Sequence, residues 1–203
     1  MVTIVILLIT AAVSLINMNN DEFRHQYMFN AWAIKHRKEW YRFFTAGLLH
    51  ADFAHLAFNM LALYSFGAMV EEGFCSEALF GPKLGHFMFS FMYVSGRAIS
   101  SIYSYIKHKD NILYNALGAS GAVSAVVYSA ILFHPNGTIY FIVIPIKSWL
   151  FGILYLVASY VMARKNVGNI GHDAHFWGAV YGFIFPIIFF PFLIQRFIAL
   201  LVP

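Results

Sequence analysis

Four side chains in this sequence could do chemistry together: Ser120, His175, His55 and Asn59. Ser120 lies in Gly118-Ala119-Ser120-Gly121, within an apolar run from Ile112 to Phe133. A serine hydroxyl is a weak nucleophile until a base takes its proton. The flanking glycines let another helix or a substrate backbone come close to it. Alone the stretch is ambiguous, because small residues also line contacts between membrane helices. His55 and Asn59 are four residues apart, so both point from one helical face, and each can donate a hydrogen bond. Two such donors beside a serine would stabilise the oxyanion of a tetrahedral intermediate. The plainer reading is a hydrogen-bonded pair that only holds helices together. His50 adds a third polar group at the start of the same helix.

The candidate base is His175, in Ala174-His175-x-x-Gly178-x-x-x-Gly182. Positions 175, 178 and 182 share a face, and Gly118, Gly121, Ala122 and Ala125 form a matching small face. Packing one on the other would bring Ser120 and His175 within hydrogen-bond reach. The histidine could then take the serine proton and return it to a leaving amine. Asp173 is the carboxylate nearest His175 in sequence, but two residues on a helix turn about 200°, so the side chains diverge. The spacing therefore predicts a Ser–His dyad, with Asp173 as a cap or interfacial charge. The hydrolase elbow Gly-x-Ser-x-Gly sits between a strand and a helix, and neither its spacing nor its context is met here. Metal is the weaker reading: His172 and His175 are three apart and His50, His55 or His86 could join them, yet no His-Glu-x-x-His pattern is present. No cofactor and no metal are implied.

Composition says what must hold these groups. The chain has 203 residues, 61% hydrophobic and 11% charged, with a mean hydropathy of +0.69. A soluble domain carries about 25% charged residues. The sequence therefore predicts an all-α, multi-pass integral membrane protein, forming one domain over residues 1–203. Cys75 stands alone, which excludes an internal disulfide. The net charge of +4 does not point to nucleic acid, because the basic residues sit beside apolar segments where anionic lipid headgroups are the simpler partner. No feature of the sequence addresses oligomeric state.

Six spans follow from the apolar runs: Val2–Met18, Phe53–Val70, Phe87–Ile106 with Arg97 near its middle, Ile112–Phe133, Ser148–Ala163 and Ala174–Ile194. Between the first two, Asn19–Phe44 mixes bases with aromatics, as suits short helices at the membrane interface. Ile139–Ile146 is too short to span and predicts an apolar loop tucked against the bundle. Arg164-Lys165-Asn166, Gly168 and Gly171 end the fifth span. Arg97 faces either the bundle interior or a water-filled space, and it either pairs with a loop acid or takes a catalytic role. Lysine and arginine crowd the loops after spans one, three and five, which by the positive-inside rule would make the first loop cytoplasmic.

These residues resemble the rhomboid intramembrane serine proteases. His50-x-x-x-x-His55-x-x-x-Asn59, Gly118-Ala119-Ser120-Gly121 and Ala174-His175-x-x-Gly178-x-x-x-Gly182 look like three motifs of that family, in its order and on its spans. The resemblance covers nearly the whole chain and implies a minimal rhomboid-like bundle of six transmembrane helices with an interfacial first loop. It implies Ser120 as nucleophile and His175 as base, with His55, Asn59 and the Ser120 amide at the oxyanion. Arg42 resembles a structural arginine of the first loop, and Glu71 an acid that braces that loop. Substrates would be transmembrane helices of other proteins in the bilayer, in a bacterial inner membrane. The resemblance also sets the first loop outside the cytoplasm, against the charge count, and it is followed here. The alternative is a catalytically silent relative that binds or moves membrane clients. Many relatives carry a tyrosine four residues after the nucleophile, stacked on the histidine; this chain has Ser124 there.

Overall fold

A computed structural model describes residues 1–141, 143–165 and 171–202. Asn166 and Gly168, part of the expected stop to the fifth span, lie outside the described residues. The helices are α1 (Val2–Met18), α2 (Asp21–Tyr27), α3 (Ala31–Arg37), α4 (Arg42–Thr45), α5 (Phe53–Cys75), α6 (Gly81–Ser100), α7 (Ile102–His108), α8 (Ser120–Phe133), α9 (Ser148–Lys165), α10 (His172–Phe189) and α11 (Phe192–Leu201). The two-residue strands β1 (Phe29–Asn30) and β2 (Asn115–Ala116) pair antiparallel, as do β3 (Thr138–Phe141) and β4 (Ile144–Lys147). Six longer helices, α1, α5, α6, α8, α9 and α10, form the bundle.

The bundle is built around α8. Every residue from Gly121 to Phe133 is buried, packed against α5, α6, α9, α10 and α11. A lipid-facing helix needs about 20 residues to cross the hydrocarbon core. With 14 residues, α8 is short, and its neighbours shield it from lipid. The missing turns leave its first residue about 9 Å short of a full span, at 1.5 Å per residue. Ser120 is that first residue.

Four expectations are corrected. The run Ile112–Phe133 is not one helix: Ile112 and Leu113 lie in a turn, Asn115–Ala116 form β2 paired with β1, Gly118 adopts a φ of +123°, and the helix begins only at Ser120. Hydropathy counts apolar residues whatever their backbone or burial, and Ile112 and Leu113 are exposed, which is why the run looked continuous. The third span begins earlier, at Gly81-Pro82, and breaks at Ser101, so Arg97 stands in its last turn rather than its middle. The sixth ends at Phe189, after which α11 leaves at 118°. Finally, Ile139–Ile146 is the β3–β4 hairpin; Ile139 is buried, but Tyr140, Phe141, Val143 and Ile144 are exposed.

The first loop folds as short helices with a core of its own. Phe29, Ala31, Ile34, Phe43 and Ala46 are buried together against Ala98, Tyr105, Tyr114 and Ala116. Arg42 ties this loop down. Its guanidinium donates to the carbonyls of His25 (2.9 Å) and Met28 (2.7 Å) and pairs with Glu39 (2.5 Å). A planar fork suits this arrangement of acceptors better than an ammonium would.

Candidate active site

The approach to Ser120 is held by the first loop. Gly118 N–H donates to the Ala46 carbonyl at 2.9 Å, and Asn30 Nδ2 donates to Ile112 O at 3.0 Å. Ala119 N–H donates to His50 Nε2 at 3.4 Å. His50 is fully buried, and its Nδ1 lies 2.8 Å from Ser14 Oγ, which donates to Leu48 O at 2.8 Å. Accepting at Nε2 leaves the proton on Nδ1, so the chain of bonds is consistent with a neutral imidazole. Burial, and then the neighbouring His55 and Arg97, push the His50 pKa down to about 3, against a smaller opposing pull from Asp52. Asn17 Nδ2 adds a bond to His50 O at 2.7 Å.

Ser14 and Asn17 escaped the sequence reading. With Thr3 and Thr10 they form a fully buried polar stripe along α1. Their spacing of seven, four and three residues puts them on one helical face. That signal was present in an otherwise aliphatic segment.

His55 stands over Gly118. A Cβ at Gly118 would lie 2.9 Å from His55 Nε2 and 3.8 Å from Ser120 Oγ, so both polar atoms surround one point. Glycine is required there twice, by the positive φ and by the ring above it. Asp52 caps α5 by accepting from His55 N–H at 2.8 Å, which fixes the turn that aims His55. Asn59 is buried and donates one amide hydrogen to His55 O at 2.9 Å. Its second amide hydrogen is a further donor on that face. Ser120 opens α8, so its own N–H has no carbonyl within the helix and points outward with the positive end of the helix dipole.

The glycine faces meet at Gly121 and Ala125 as the spacing predicted, but Gly118 stands before α8 and takes no part in that contact. A Cβ at Gly178 would overlap the Gly121 carbonyl, and one at Gly182 would overlap that of Ala125. A Cβ at Gly121 would strike Ser100 Oγ on α6 and come within 3.5 Å of the Ala174 carbonyl. The turn carrying His175 is therefore in backbone contact with the turn carrying Ser120. The described hydrogen bonds include none between Ser120 and His175, and the buried His175 Nε2 has no partner. Catalytic hydrogen bonds are commonly long away from the Michaelis complex. Tyr155 of α9 stacks on the His175 ring at 6.2 Å and 22°. His172 meets it edge-on at 5.7 Å.

Asp173 turns away to Lys107, 3.3 Å off, and sits in the first turn of α10 rather than at its cap. Arg97 has no described acid partner. It donates to Ser101 Oγ, while its Nε lacks a hydrogen bond. With Ser101, Ser104, Tyr114, Gly118 and Ser120 it lines a cavity of about 20 Å³, which has room for a water. Arg97 is thus buried in the bundle interior and also lines this cavity. Glu71 does not reach the first loop. It accepts from Val2 N–H (2.7 Å), Thr3 N–H (2.9 Å) and Thr3 Oγ1 (2.7 Å), capping the start of α1, with His86 at 2.8 Å. Among the described residues no group of three or more His, Cys, Asp or Glu is placed to hold a metal.

Comparison with known proteins bears on this arrangement. The Rhomboid domain matches residues 37–192, more than half of the chain. RHOMBOID-like protein 12, mitochondrial, of Arabidopsis thaliana is 29% identical over 151 residues, 66% of this chain and 42% of that protein. Rhomboid protease GluP of Bacillus subtilis is 31% identical over 134 residues, 66% of this chain and 24% of that one. Presenilin-associated rhomboid-like protein, mitochondrial, of Homo sapiens is 28% identical over 140 residues, 66% of this chain and 34% of that protein. The chain thus spans less than half the length of each of these relatives. The match and the helical bundle agree, and the chain belongs to the rhomboid family of multi-pass, six-helix membrane proteins.

Proposed function

We propose that the protein is an intramembrane serine endopeptidase that cuts transmembrane segments of other membrane proteins. The reading rests on one observation: His55 and Ser120 Oγ flank Gly118 at the opening of α8, where Gly121 meets the α10 turn that precedes His175, beside a cavity that can hold water. Ser120 Oγ attacks the scissile carbonyl as His175 Nε2 takes its proton. The carbonyl oxygen becomes an oxyanion that accepts from His55, Asn59 and the Ser120 N–H. Collapse of this intermediate breaks the C–N bond, and His175 gives its proton to the leaving amine. Water then attacks the acyl-serine, His175 again accepting the proton, and a carboxylate leaves as Ser120 Oγ is reprotonated. A scissile bond inside a helix has its carbonyl committed to the backbone ladder, so substrates whose helices unwind locally are favoured.

The test is cleavage of a model transmembrane substrate in liposomes by the wild type, Ser120→Ala and His175→Ala. Cleavage is expected only from the wild type, and equal cleavage by all three would refute the proposal. The lack of a described Ser120–His175 hydrogen bond favours a second reading, a catalytically silent client-binding protein. Failure of a fluorophosphonate to label Ser120 in the folded wild type would select that one.

A further inference from the structure

The base has an unusual support. A catalytic imidazole must be held in orientation by something, and no carboxylate among the described residues does so, because Asp173 faces Lys107. The His175 ring is instead sandwiched between the edge of His172 and the face of Tyr155. The Tyr155 ring, 6.2 Å away and tilted by 22°, falls within the offset-stacked range. It belongs to α9, an otherwise rather exposed helix, so its position needs an anchor of its own. That anchor is Ser124, whose Oγ is 2.6 Å from the Tyr155 hydroxyl. Ser124 is buried and lies four residues after Ser120, on the same face of α8. Phe151 and Tyr128, both 5.9 Å from the Tyr155 ring, complete its seat.

We infer that Tyr155 is a positioning residue: docked by its hydroxyl onto Ser124, its ring sets the orientation of the His175 imidazole toward Ser120. The inference rests on the proposed protease function. It links three helices through one side chain, since the hydroxyl reads the position of α8, the ring reads α10, and the backbone belongs to α9. Any displacement of α9 along its contact with α8 moves the plate against which the base rests. The competing account is a polar pair that only joins α8 to α9, of the kind common between membrane helices. The two differ in what the ring and the hydroxyl should each be worth to the chemical step.

The experiment is the rate of fluorophosphonate labelling of Ser120 in detergent, resolved into the maximal inactivation rate and the inhibitor's apparent affinity. Variants are Tyr155→Phe, Tyr155→Ala, Ser124→Ala and the double exchange Ser124→Tyr with Tyr155→Ser. Thermal unfolding is followed in each. A misplaced catalytic group costs up to about 100-fold per ångström. Tyr155→Ala is therefore expected to lower the maximal rate by about tenfold or more with affinity unchanged. Tyr155→Phe and Ser124→Ala keep the ring but release its anchor, so each should lower the maximal rate by about threefold, clearly less than Tyr155→Ala. The double exchange restores a ring to the same space from the other helix and should recover most of the rate. Labelling of Tyr155→Ala at the wild-type maximal rate would overturn the inference while leaving the protease reading intact. So would equal losses in Tyr155→Phe and Tyr155→Ala that track unfolding. An unlabelled, folded wild type would overturn both.

Discussion

Gly178→Ala is the sharpest single test of the proposed Ser120–His175 dyad. Its Cβ would sit 2.9 Å from the carbonyl carbon of Gly121 and 3.0 Å from its Cα, overlapping the carbonyl oxygen between the two helices. All three atoms are backbone, so no side chain can rotate away. Relief requires α10 and α8 to separate by about 1 Å, since close-packed interiors transmit such strain rather than absorb it. Overpacking of this kind costs about 1–3 kcal/mol. The functional cost is larger, because Gly178 is one turn from His175 and Gly121 directly follows Ser120. A displacement of about 1 Å between nucleophile and base is worth about 100-fold in rate.

Gly152→Ala on α9 is the control. Its Cβ would meet Ile131 side-chain carbons, the nearest at 3.3 Å, and the Tyr128 ring at 3.8 Å, side-chain atoms that can give by a few tenths of an ångström. Replacing a helical glycine by alanine there gains up to about 1 kcal/mol of helix propensity. The assay is Ser120 labelling rate and thermal unfolding in the same detergent. The expectation is a modest loss of stability and about a 100-fold loss of rate for Gly178→Ala, with neither loss in Gly152→Ala. A Gly178→Ala protein that labels as fast as wild type would refute the argument that backbone contact between α8 and α10 sets the dyad.

Other substitutions probe the supports. His50 is neutral when folded, with its pKa at about 3, whereas an unfolded histidine titrates near its ordinary value of about 6.5. Between those values the unfolded chain binds the extra proton, so stability is full above the upper one and falls as pH drops toward the lower. Thermal unfolding of His50→Gln should show lower stability at neutral pH and a shallower acid slope; an unchanged slope would contradict this role. Arg42→Lys breaks the fork on the His25 and Met28 carbonyls, and amide exchange in residues 21–37 should lose about 1.5–3 kcal/mol of protection. Glu71→Ala strands the Val2 and Thr3 donors and should cost about 1.5–3 kcal/mol or more of global stability. Because Glu71 is about 24 Å along α5 from His55 at 1.5 Å per residue, the labelling rate of the Glu71→Ala molecules that remain folded should match the wild type; a selective rate loss would tie Glu71 to the site after all.

What the sequence could reveal follows from the range of the interactions involved. Gly121, Gly178 and Gly182 were legible because helical period alone puts small residues on a face, and two small faces have few better uses than each other. His55 and Asn59 were legible for the same reason, being one turn apart on α5. The approach to Ser120 was not, because Phe29 and Ala116 pair across 87 positions of sequence and hydropathy treats any apolar run as a candidate helix. Glu71 was misread as a brace for the first loop because a lone acid near a helix end says nothing of which neighbour offers it N–H groups. Tyr155 lay further out of reach still. It is an ordinary aromatic on an apolar helix, and only the packing of α9 against both α8 and α10 gives it a histidine to rest on. Ser124 read alone looks like the loss of a support for His175. Set beside Tyr155 it is the other half of one, because a small hydroxyl on α8 leaves the volume a ring from α9 occupies and supplies the atom that fixes it. A departure at one position of a motif is therefore judged by which neighbour fills the vacated space, and the double exchange of Ser124 and Tyr155 measures that equivalence directly.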